Sequence, residues 1–211
     1  MSEEFGKTFV FLEERRKPDM QALREAIARD GVGLGRDVVK VDMFLNHRID
    51  TALLFAMGRE MADRFRAEKP DVVLTVEASG IALAVAAAHA LGDIPAVFAK
   101  KGATVLESQD MAQAKVYSFT HKRENVIRVE KRYLPAGSRV LIVDDFLADG
   151  QATLGMISLC EQTSCSVAGV AIAVEKGFMP GGRLLREKGY KVSSLAVVTG
   201  IENGKILLAD D

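Results

Sequence analysis

The sequence predicts an α/β fold, in which helices cover both faces of a mainly parallel sheet. From Pro70 onward, short β-branched segments alternate with segments that have the apolar spacing of helices, a pattern typical of strands joined by helical crossovers. Residues 71–76, "DVVLTV", are almost continuously apolar, as expected for a strand buried on both faces. These observations favour right-handed connections between parallel strands.

Two helices are predicted before the sheet begins. Residues 19–31, "DMQALREAIARDG", combine helical spacing with an Asp at the N-cap and a glycine at the end. Residues 51–65, "TALLFAMGREMADRF", form a longer pattern of the same kind. Residues 1–18 are a charged lead-in. We therefore predict an N-terminal appendage at 1–18 and a single domain at 19–211.

The rest of the chain continues the alternation of strands and helices. Strands are predicted at 95–100, 116–120, 126–130, 139–145, 167–175 and 191–198. Helices are predicted at 81–91, 150–162 and 181–188. Residues 101–114 carry neither pattern strongly, and a loop of that length in a compact domain is expected to be functional or mobile.

Composition excludes several classes of protein. The net charge is -1, which gives no electrostatic reason to expect nucleic acid or an anionic membrane as a partner. No apolar stretch reaches the length of a membrane span, and the N-terminus lacks the pattern of a signal peptide. The two cysteines, Cys160 and Cys165, lack zinc-ligand spacing. We predict a cytoplasmic protein with free thiols.

Two adjacent aspartates end one of the predicted strands. In "VLIVDDFLADGQAT", at 140–153, Asp144 and Asp145 precede a glycine-containing turn into a new helix. Ligands of open α/β sheets bind beyond the carboxyl ends of the strands, and a helix N-terminus attracts anions. Gly150 has no Cβ to keep a phosphate from the backbone. The stretch suits a ligand with a diol and a phosphate, such as a ribose phosphate; the structural alternative is a strand end that only caps a turn.

This stretch resembles the phosphoribosyl-pyrophosphate (PRPP) motif of the type I phosphoribosyltransferases. In that family the two acidic residues contact the ribose hydroxyls, and the following loop binds the 5′-phosphate. The similarity runs from about Leu23 almost to the C-terminus, and within the family it points to the members that use xanthine. It is carried by the segments "VVKVDMFLNHRID", "TVEASGIALA", "VFAKKGATVL", "VYSFT" and "VEKGF".

The resemblance implies a fold, an activity and partners. The fold is the type I phosphoribosyltransferase fold, with a small N-terminal hood formed largely by 19–50 and by C-terminal segments. The activity is transfer of phosphoribosyl from PRPP to xanthine, which gives XMP and pyrophosphate in purine salvage. Because the transition state is oxocarbenium-like, the protein needs to supply positioning and electrostatics. Mg²⁺, bound through substrate phosphates with no metal ligands assigned to the protein, is the implied cofactor, and a homodimer is the implied assembly.

The same resemblance assigns residues to two phosphate-binding loops. PRPP is expected to contact Asp144, Asp145, Ala148, Asp149, Gly150, Gln151 and Ala152. Pyrophosphate is expected to contact Ala78, Ser79, Gly80, Lys100 and Lys101, with at least one of the lysines in the site. The structural alternatives are an ordinary strand-to-helix turn and two solvated surface lysines.

Asp149 departs from the family pattern, which usually has Thr at this position and often has Asn in the xanthine-using members. A carboxylate about 5 Å from a phosphate charge would cost roughly 3 kcal/mol per unit charge at an effective dielectric constant near 20. We therefore expect the Asp149 side chain to point away from the phosphate or to cap the following helix.

The resemblance also assigns the purine site to Val39, Asn46 and Lys176. Asn46 offers both a donor and an acceptor to the edge of the base. Lys176, in "VEKGF", is expected to donate to an exocyclic oxygen of the purine. Such a donor favours 6-oxopurines and disfavours adenine, whose amino group is itself a donor. The alternative for Lys176 is an exposed strand-end lysine.

Two other kinds of function remain open. A hypoxanthine/guanine or adenine phosphoribosyltransferase would have the same fold, and pocket residues from one sequence do not separate these enzymes. A PRPP-binding regulatory protein would carry a nucleic-acid-binding module or a basic face. The appendage at 1–18 is too short for a helix-turn-helix domain, and the net charge is -1, so the enzyme is favoured over the regulator.

Overall fold

The computed structural model describes residues 20–102, 110–118 and 123–209. The helices are α1 (Met20–Asp30), α2 (Thr51–Phe65), α3 (Gly80–Ala90), α4 (Gln151–Gln162) and α5 (Gly181–Glu187). The strands are β1 (Val32–Leu34), β2 (Val38–Lys40), β3 (Val72–Val76), β4 (Ala96–Lys101), β5 (Met111–Ser118), β6 (Arg123–Glu130), β7 (Arg139–Leu147), β8 (Ser166–Lys176), β9 (Val192–Glu202) and β10 (Lys205–Leu208). The predicted appendage at 1–18 lies outside the described residues.

Most of the strands belong to one sheet. Within the described residues its order is β10-β9-β8-β7-β3-β4-β6-β5. The five central strands, from β9 to β4, are parallel, whereas β10 on one edge and β6 and β5 on the other are antiparallel to their neighbours. The predicted α/β fold with a mainly parallel sheet is confirmed.

Helices cover both faces of this sheet, as the apolar runs predicted. Along β7, Leu141 and Val143 pack in the core beneath α1, α2 and α3. Their neighbours Val140 and Ile142 pack in the second core, which contains the inner residues of α4 and α5. Both sets are fully buried, because successive side chains of a strand point to opposite faces.

The N-terminal elements pack against the C-terminal hairpin at one end of the sheet. β1 and β2 pair as a small antiparallel ribbon, and the Gly33 N–H donates to the Gly204 carbonyl at 3.0 Å. A Cβ on Gly33 would lie 2.4 Å from a methyl carbon of Ile201. The ribbon can therefore lie against β9 and β10 only because this position is glycine.

One predicted loop is partly a strand. Residues 111–114 were expected to belong to the loop at 101–114, but they open β5. Ala112 and Val116 are buried beneath α4, so the segment has the alternation of a half-buried strand. Its inward residues include alanines, which have little intrinsic preference for strands. Residues 119–120 of the predicted strand lie outside the described residues.

Other elements were not predicted, or were predicted too short. β1, β2 and β10 have three or four residues each, too few to show a period. The predicted strands at 139–145 and 191–198 continue to Leu147 and Glu202. β7 is prolonged by pairing with β8 as far as Leu147–Glu175. The predicted bounds of α2 are confirmed.

Across the described residues, the apolar stretches of the helices are all too short to cross a membrane.

Candidate active site

The candidate site lies where the direction of the crossovers reverses. The chain moves from β3 through α3 to β4 toward one edge of the sheet, and from β7 through α4 to β8 toward the other. β3 and β7 pair only as far as Leu74–Ile142, so the two strands part before their carboxyl ends. This separation opens a crevice of the kind in which open α/β sheets bind ligands.

Asp144 and Asp145 lie on β7, just after the point where β3 and β7 separate. They are 5% and 7% exposed, and the Asp145 N–H donates to Asp144 Oδ1 at 3.0 Å. Burial raises the pKa of Asp144 well above its usual value; the charge of Asp145 raises it further, and the charge of Lys101 opposes the rise. A buried acidic pair of this kind lowers stability, and such arrangements concentrate at functional sites.

Gly80 makes room for this pair. A Cβ at Gly80 would lie 2.1 Å from the hydroxyl oxygen of Thr75 and 3.0 Å from Asp144 Oδ1. Thr75 stands on β3, and its hydroxyl is buried with no hydrogen-bond partner among the described residues. The start of α3 therefore packs against both strands of the crevice, in a way that only glycine permits.

The segment after β7 forms a tight loop that leads into α4. Gly150 has a φ of 84° and occupies the N-cap position of α4, a left-handed conformation that glycine adopts without strain. Asp149 Oδ1 accepts a hydrogen bond from the Gln151 N–H at 3.1 Å. This hydrogen bond agrees with one of the two expectations for Asp149, that its side chain binds the start of the following helix. Asp149 Oδ2 is buried with no partner among the described residues.

The loop between β3 and α3 lies on the other side of the crevice. Ser79 is the N-cap residue of α3, but its hydroxyl makes no capping hydrogen bond. The peptide bond between Glu77 and Ala78 is cis. The Glu77 carboxylate accepts from the Lys101 N–H at 2.5 Å, which ties the loop to the end of β4.

Asn46 connects the N-terminal elements to the aspartate pair. It ends a single π-helical turn, Asp42–Asn46, that follows β2. Its side-chain amide donates to Asp145 Oδ2 at 3.4 Å. Val39, on β2, has a side chain that is 7% exposed and packs in the first core. Phe44 is also a core residue.

Lys176, the last residue of β8, reaches the N-terminal ribbon. Its ammonium donates to the Asp37 carbonyl at 2.7 Å and lies 5.8 Å from the centre of the Phe146 ring. Burial lowers the pKa of Lys176, and the negative charges of Asp37 and Asp149 act in the opposite direction. The lysine is therefore partly desolvated between the ribbon and the loop after β7.

The structure brings most of the predicted residues to one edge of the sheet. Asn46, Asp145 and Asp144 are linked by hydrogen bonds, and the charge of Lys101 acts on Asp144. Lys100 precedes Lys101 on β4, and its side chain points to the opposite face because strand residues alternate. Within the part of the chain that the structure describes, no contact of Lys100 supports its expected part in the site.

Several residues in this region were not predicted. Thr75, Glu77, Asp37 and Phe146 all contact predicted site residues or lie close to them. Phe146 is inside the PRPP motif and Glu77 precedes the predicted pyrophosphate loop, so sequence position alone could have suggested both. Asp37 contributes a backbone carbonyl, which every residue type has, so its sequence could not have indicated this contact.

The acidic pair has the chemistry that a hard cation requires. Among the described residues, no group of three or more His, Cys, Asp or Glu side chains could hold a metal ion. Mg²⁺ binds with one or two carboxylates when substrate phosphates and water complete its shell. Asp144 and Asp145 fit that requirement, because they are two adjacent carboxylates near the carboxyl end of β7, beside the crevice.

Comparison with known proteins gives close relatives. The chain is 47% identical over 187 residues to the xanthine phosphoribosyltransferase of Clostridioides difficile, covering 89% of this chain and 98% of that protein. It is 46% identical to the xanthine phosphoribosyltransferase of Bacillus cytotoxicus, covering 89% and 94%. It is 44% identical to that of Ruminiclostridium cellulolyticum, covering 89% and 98%.

Solved structures share the fold at lower identity. The adenine phosphoribosyltransferase of Giardia lamblia, solved with 9-deazaadenine, has a TM-score of 0.68 and 22% identity, covering 83% of this chain and 96% of that one. The enzyme of Trypanosoma brucei has a TM-score of 0.66 and 19% identity, covering 83% and 78%. These likenesses support the type I phosphoribosyltransferase fold.

A family model for the phosphoribosyl transferase domain matches residues 47–210. The match includes both loops of the crevice, the paired aspartates and Lys176. Together with the close relatives, it establishes that this chain belongs to the phosphoribosyltransferase family.

Proposed function

We propose that the protein is a xanthine phosphoribosyltransferase, which transfers phosphoribosyl from PRPP to xanthine and releases pyrophosphate. The hydrogen bond from Asn46 to Asp145 is the observation that carries this proposal. It joins the segment expected to hold the base to the pair expected to hold the ribose, across 99 residues of chain. The xanthine phosphoribosyltransferases at 44–47% identity supply the choice of base.

PRPP would bind along the carboxyl edge of β7. Asp144 and Asp145 are acceptors suited to the ribose hydroxyls, and their burial strengthens such hydrogen bonds. The loop into α4 would hold the 5′-phosphate with its backbone N–H groups. The loop residues with this role are Ala148, Asp149, Gly150, Gln151 and Ala152.

Pyrophosphate would leave between the loop before α3 and the end of β4. Ala78, Ser79 and Gly80 offer backbone N–H groups and a hydroxyl, and Lys101 offers a positive charge. When bound through the diphosphate oxygens near Asp144 and Asp145, Mg²⁺ would neutralise charge on the leaving group. Lys100, whose side chain points to the opposite face of β4, would add only a second positive charge at longer range.

The base would lie beneath the N-terminal elements, between Asn46 and Lys176. The Asn46 amide can donate to and accept from the purine edge. The Lys176 ammonium would exchange the Asp37 carbonyl for an exocyclic oxygen of xanthine. Val39 would form an apolar wall or contribute its backbone, because its side chain is mostly buried. A cationic donor at this place would face the amino group of adenine unfavourably.

The chemistry then depends on positioning. The ribose held by the acidic pair and the base held by Asn46 and Lys176 would align the ring nitrogen with the anomeric carbon. As the C–O bond to pyrophosphate breaks, the sugar gains oxocarbenium character. The acidic pair of Asp144 and Asp145 would stabilise that developing positive charge.

A parallel assay with four bases tests this function. The full chain is incubated with PRPP, Mg²⁺ and xanthine, guanine, hypoxanthine or adenine, and nucleotide formation is followed. We expect kcat/KM for xanthine to exceed that for adenine by at least about 100-fold. Preference for guanine or hypoxanthine would leave the PRPP site in place and overturn the choice of base. PRPP binding without turnover of any base would favour a regulatory protein.

A lysine variant sharpens the same assay. Lys176→Met removes the proposed donor and is expected to lower kcat/KM for xanthine by about 100-fold while leaving KM for PRPP nearly unchanged. Lys205→Met is the matched control, because Lys205 is an exposed lysine on β10. Equal effects of the two substitutions would contradict the role of Lys176.

We also propose a homodimer that uses the outer face of α2 and α3. Phe55 and Val85 are 42% and 52% exposed on these helices. The rings of Phe55 and His89 are arranged edge-to-face, with 6.3 Å between their centres. His89 is one turn from Val85 on α3. Large exposed apolar side chains grouped in this way are typical of a protein interface.

A cytoplasmic location is proposed as well. Cys160 and Cys165 are free thiols, which is typical of a reducing compartment. Detection of activity in the cytosolic fraction of the source cells is the corresponding test.

A further inference from the structure

The 5′-phosphate loop, Ala148 to Ala152, rests on the first residue of α5. The Gly181 N–H donates to the Ala148 carbonyl at 2.9 Å. A Cβ on Gly181 would lie 2.5 Å from that same oxygen and 2.6 Å from the backbone nitrogen of Gly150. The start of α5 is therefore in direct backbone contact with the loop, and no side chain fits between them.

The next glycine rests on a buried ion pair. A Cβ on Gly182 would lie 1.8 Å from Glu175 Oε1 and 2.6 Å from an Arg186 nitrogen. Arg186 donates to both oxygens of Glu175, at 2.8 and 2.7 Å, and the Ser194 hydroxyl donates to Oε2 at 2.5 Å. Glu175 is 5% exposed. Bidentate pairs of this kind fix geometry more firmly than single hydrogen bonds.

Hydrogen bonds keep Glu175 ionised despite its burial. Burial alone would raise the pKa of Glu175, but the hydrogen bonds from Arg186 and Ser194 outweigh it and hold the pKa below its usual value. The same pair raises the pKa of Arg186. Glu175 is therefore an ionised group locked between α5 and β9, directly beneath the glycine that follows Gly181.

We propose that the Glu175–Arg186 pair is a positioning device for the phosphoribosyl donor. It fixes the start of α5, and Gly181 transmits that position to the loop that binds the 5′-phosphate. Among the described residues, the side chains of the pair form no hydrogen bond with the loop, so the pair acts through the two glycines. This inference rests on the proposed function, since it assumes that the loop holds the phosphate of PRPP.

The chain contains a matched control for this arrangement. Glu60 and Arg64 form a second pair, at 2.6 Å, and Arg64 donates to the Ser193 hydroxyl at 2.8 Å. Glu60 is 7% exposed. This network connects α2 to β9 on the other face of the sheet, one residue from Ser194. It has the same residue types, but Arg64 contacts only Oε1 of Glu60, and Glu60 Oε2 has no partner among the described residues.

The test compares variants of the full chain. Gly181→Ala and Arg186→Lys are expected to raise KM for PRPP by about tenfold, with kcat and KM for the base within about twofold of wild type. Arg64→Lys is expected to leave KM for PRPP unchanged, although it lowers the melting temperature. Titration calorimetry with ribose 5-phosphate gives a readout that does not require turnover, and the affinity should fall in the first two variants alone.

Three outcomes would overturn the proposal, and they separate a failure of the ion pair's role from a failure of the loop assignment. If wild type binds ribose 5-phosphate but Arg186→Lys and Gly181→Ala bind it equally well, the pair has only a structural role. An equal rise of the PRPP and base KM values in Arg186→Lys and Arg64→Lys would have the same meaning. If wild type binds neither PRPP nor ribose 5-phosphate, the assignment of the phosphate loop is itself wrong, and the proposed function fails with it.

Discussion

Asp144 is the residue at which stability and function most clearly conflict. It is 5% exposed beside a second carboxylate, and its pKa lies well above the usual value because of burial and of the Asp145 charge. The positive charge of Lys101 offsets only part of this effect. Two acceptors are held in the crevice at a cost that a ligand with hydroxyl donors would relieve.

Asp144→Asn is expected to raise the free energy of unfolding by about 1 kcal/mol at neutral pH while abolishing turnover. In the unfolded chain Asp144 ionises near pH 3.8, but the folded protein keeps the proton to higher pH. The unfolding free energy of wild type therefore falls as pH rises from that value to the folded pKa. Urea denaturation over a pH series measures this loss, which the variant should lack. Parallel stability curves for the two proteins would contradict the account.

Asp149→Asn is expected to strengthen PRPP binding by about tenfold. Asn can still accept from the Gln151 N–H through its carbonyl oxygen, and it removes a negative charge near the 5′-phosphate. Steady-state KM for PRPP and ribose 5-phosphate calorimetry measure the gain. Asp93→Asn, which neutralises an exposed aspartate at the end of α3, controls for net charge. Unchanged or weaker binding in Asp149→Asn would show that the carboxylate does not oppose the phosphate.

The sequence predicted the roles of some individual site residues but not of others. The capping role of Asp149 followed from the charge argument, because a short acceptor before a helix has few alternatives. The two lysines at 100–101 could not be separated until the direction of β4 was known. The buried side chain of Val39 depends on packing against residues far along the chain, which a local pattern does not contain.

At the scale of elements, long apolar segments were the predictable part. The helices at 51–65 and 151–162 and the buried central strands follow from periodicity, because each element buries a full face. The short strands of the N-terminal ribbon have no such face. They are held by hydrogen bonds to distant residues such as Gly204, which is 171 residues beyond Gly33. The first residues of β5, 111–114, were missed because the inward positions there are alanines.

Packing of α3 against the crevice gives an element-scale prediction. Gly80→Ala is expected to lower the free energy of unfolding by about 1–3 kcal/mol, because the new Cβ would clash with the Thr75 hydroxyl. Adding Thr75→Ala removes the clashing atom, which also lacks a partner among the described residues, and should restore most of the loss. Chemical denaturation of both single variants and the double variant measures the coupling. Additive losses would contradict the predicted contact.

At the scale of the whole molecule, the site exists only because distant segments meet. Asn46 and Asp145 are 99 residues apart, and Lys176 and Asp37 are 139 apart. The family resemblance predicted which residues share the site. The distances between them, and which groups donate hydrogen bonds, depend on the order of the strands in the sheet. The reversal of crossover direction between β3 and β7 is what places both loops that we propose to bind phosphate on the same crevice.

The proposed dimer makes a prediction at the same scale. Val85→Glu places a charge on the exposed face of α3 and is expected to convert a dimer of the wild-type chain to a monomer. Sedimentation equilibrium of both proteins measures the change. Lys205→Glu, on the surface of β10, changes charge elsewhere and should leave the dimer intact. A monomeric wild type, or a dimeric Val85→Glu, would rule out this face.

The initial rate of XMP formation from PRPP, Mg²⁺ and xanthine, measured for wild type and Asp145→Asn side by side, tests the central claim most directly. Asp145 accepts from Asn46 and lies in the acidic pair, so it belongs to both halves of the proposed site. The account predicts turnover by wild type that depends on all three components, and at least about a 100-fold loss in a folded variant. Equal rates for the two proteins, or no XMP from wild type, would contradict it.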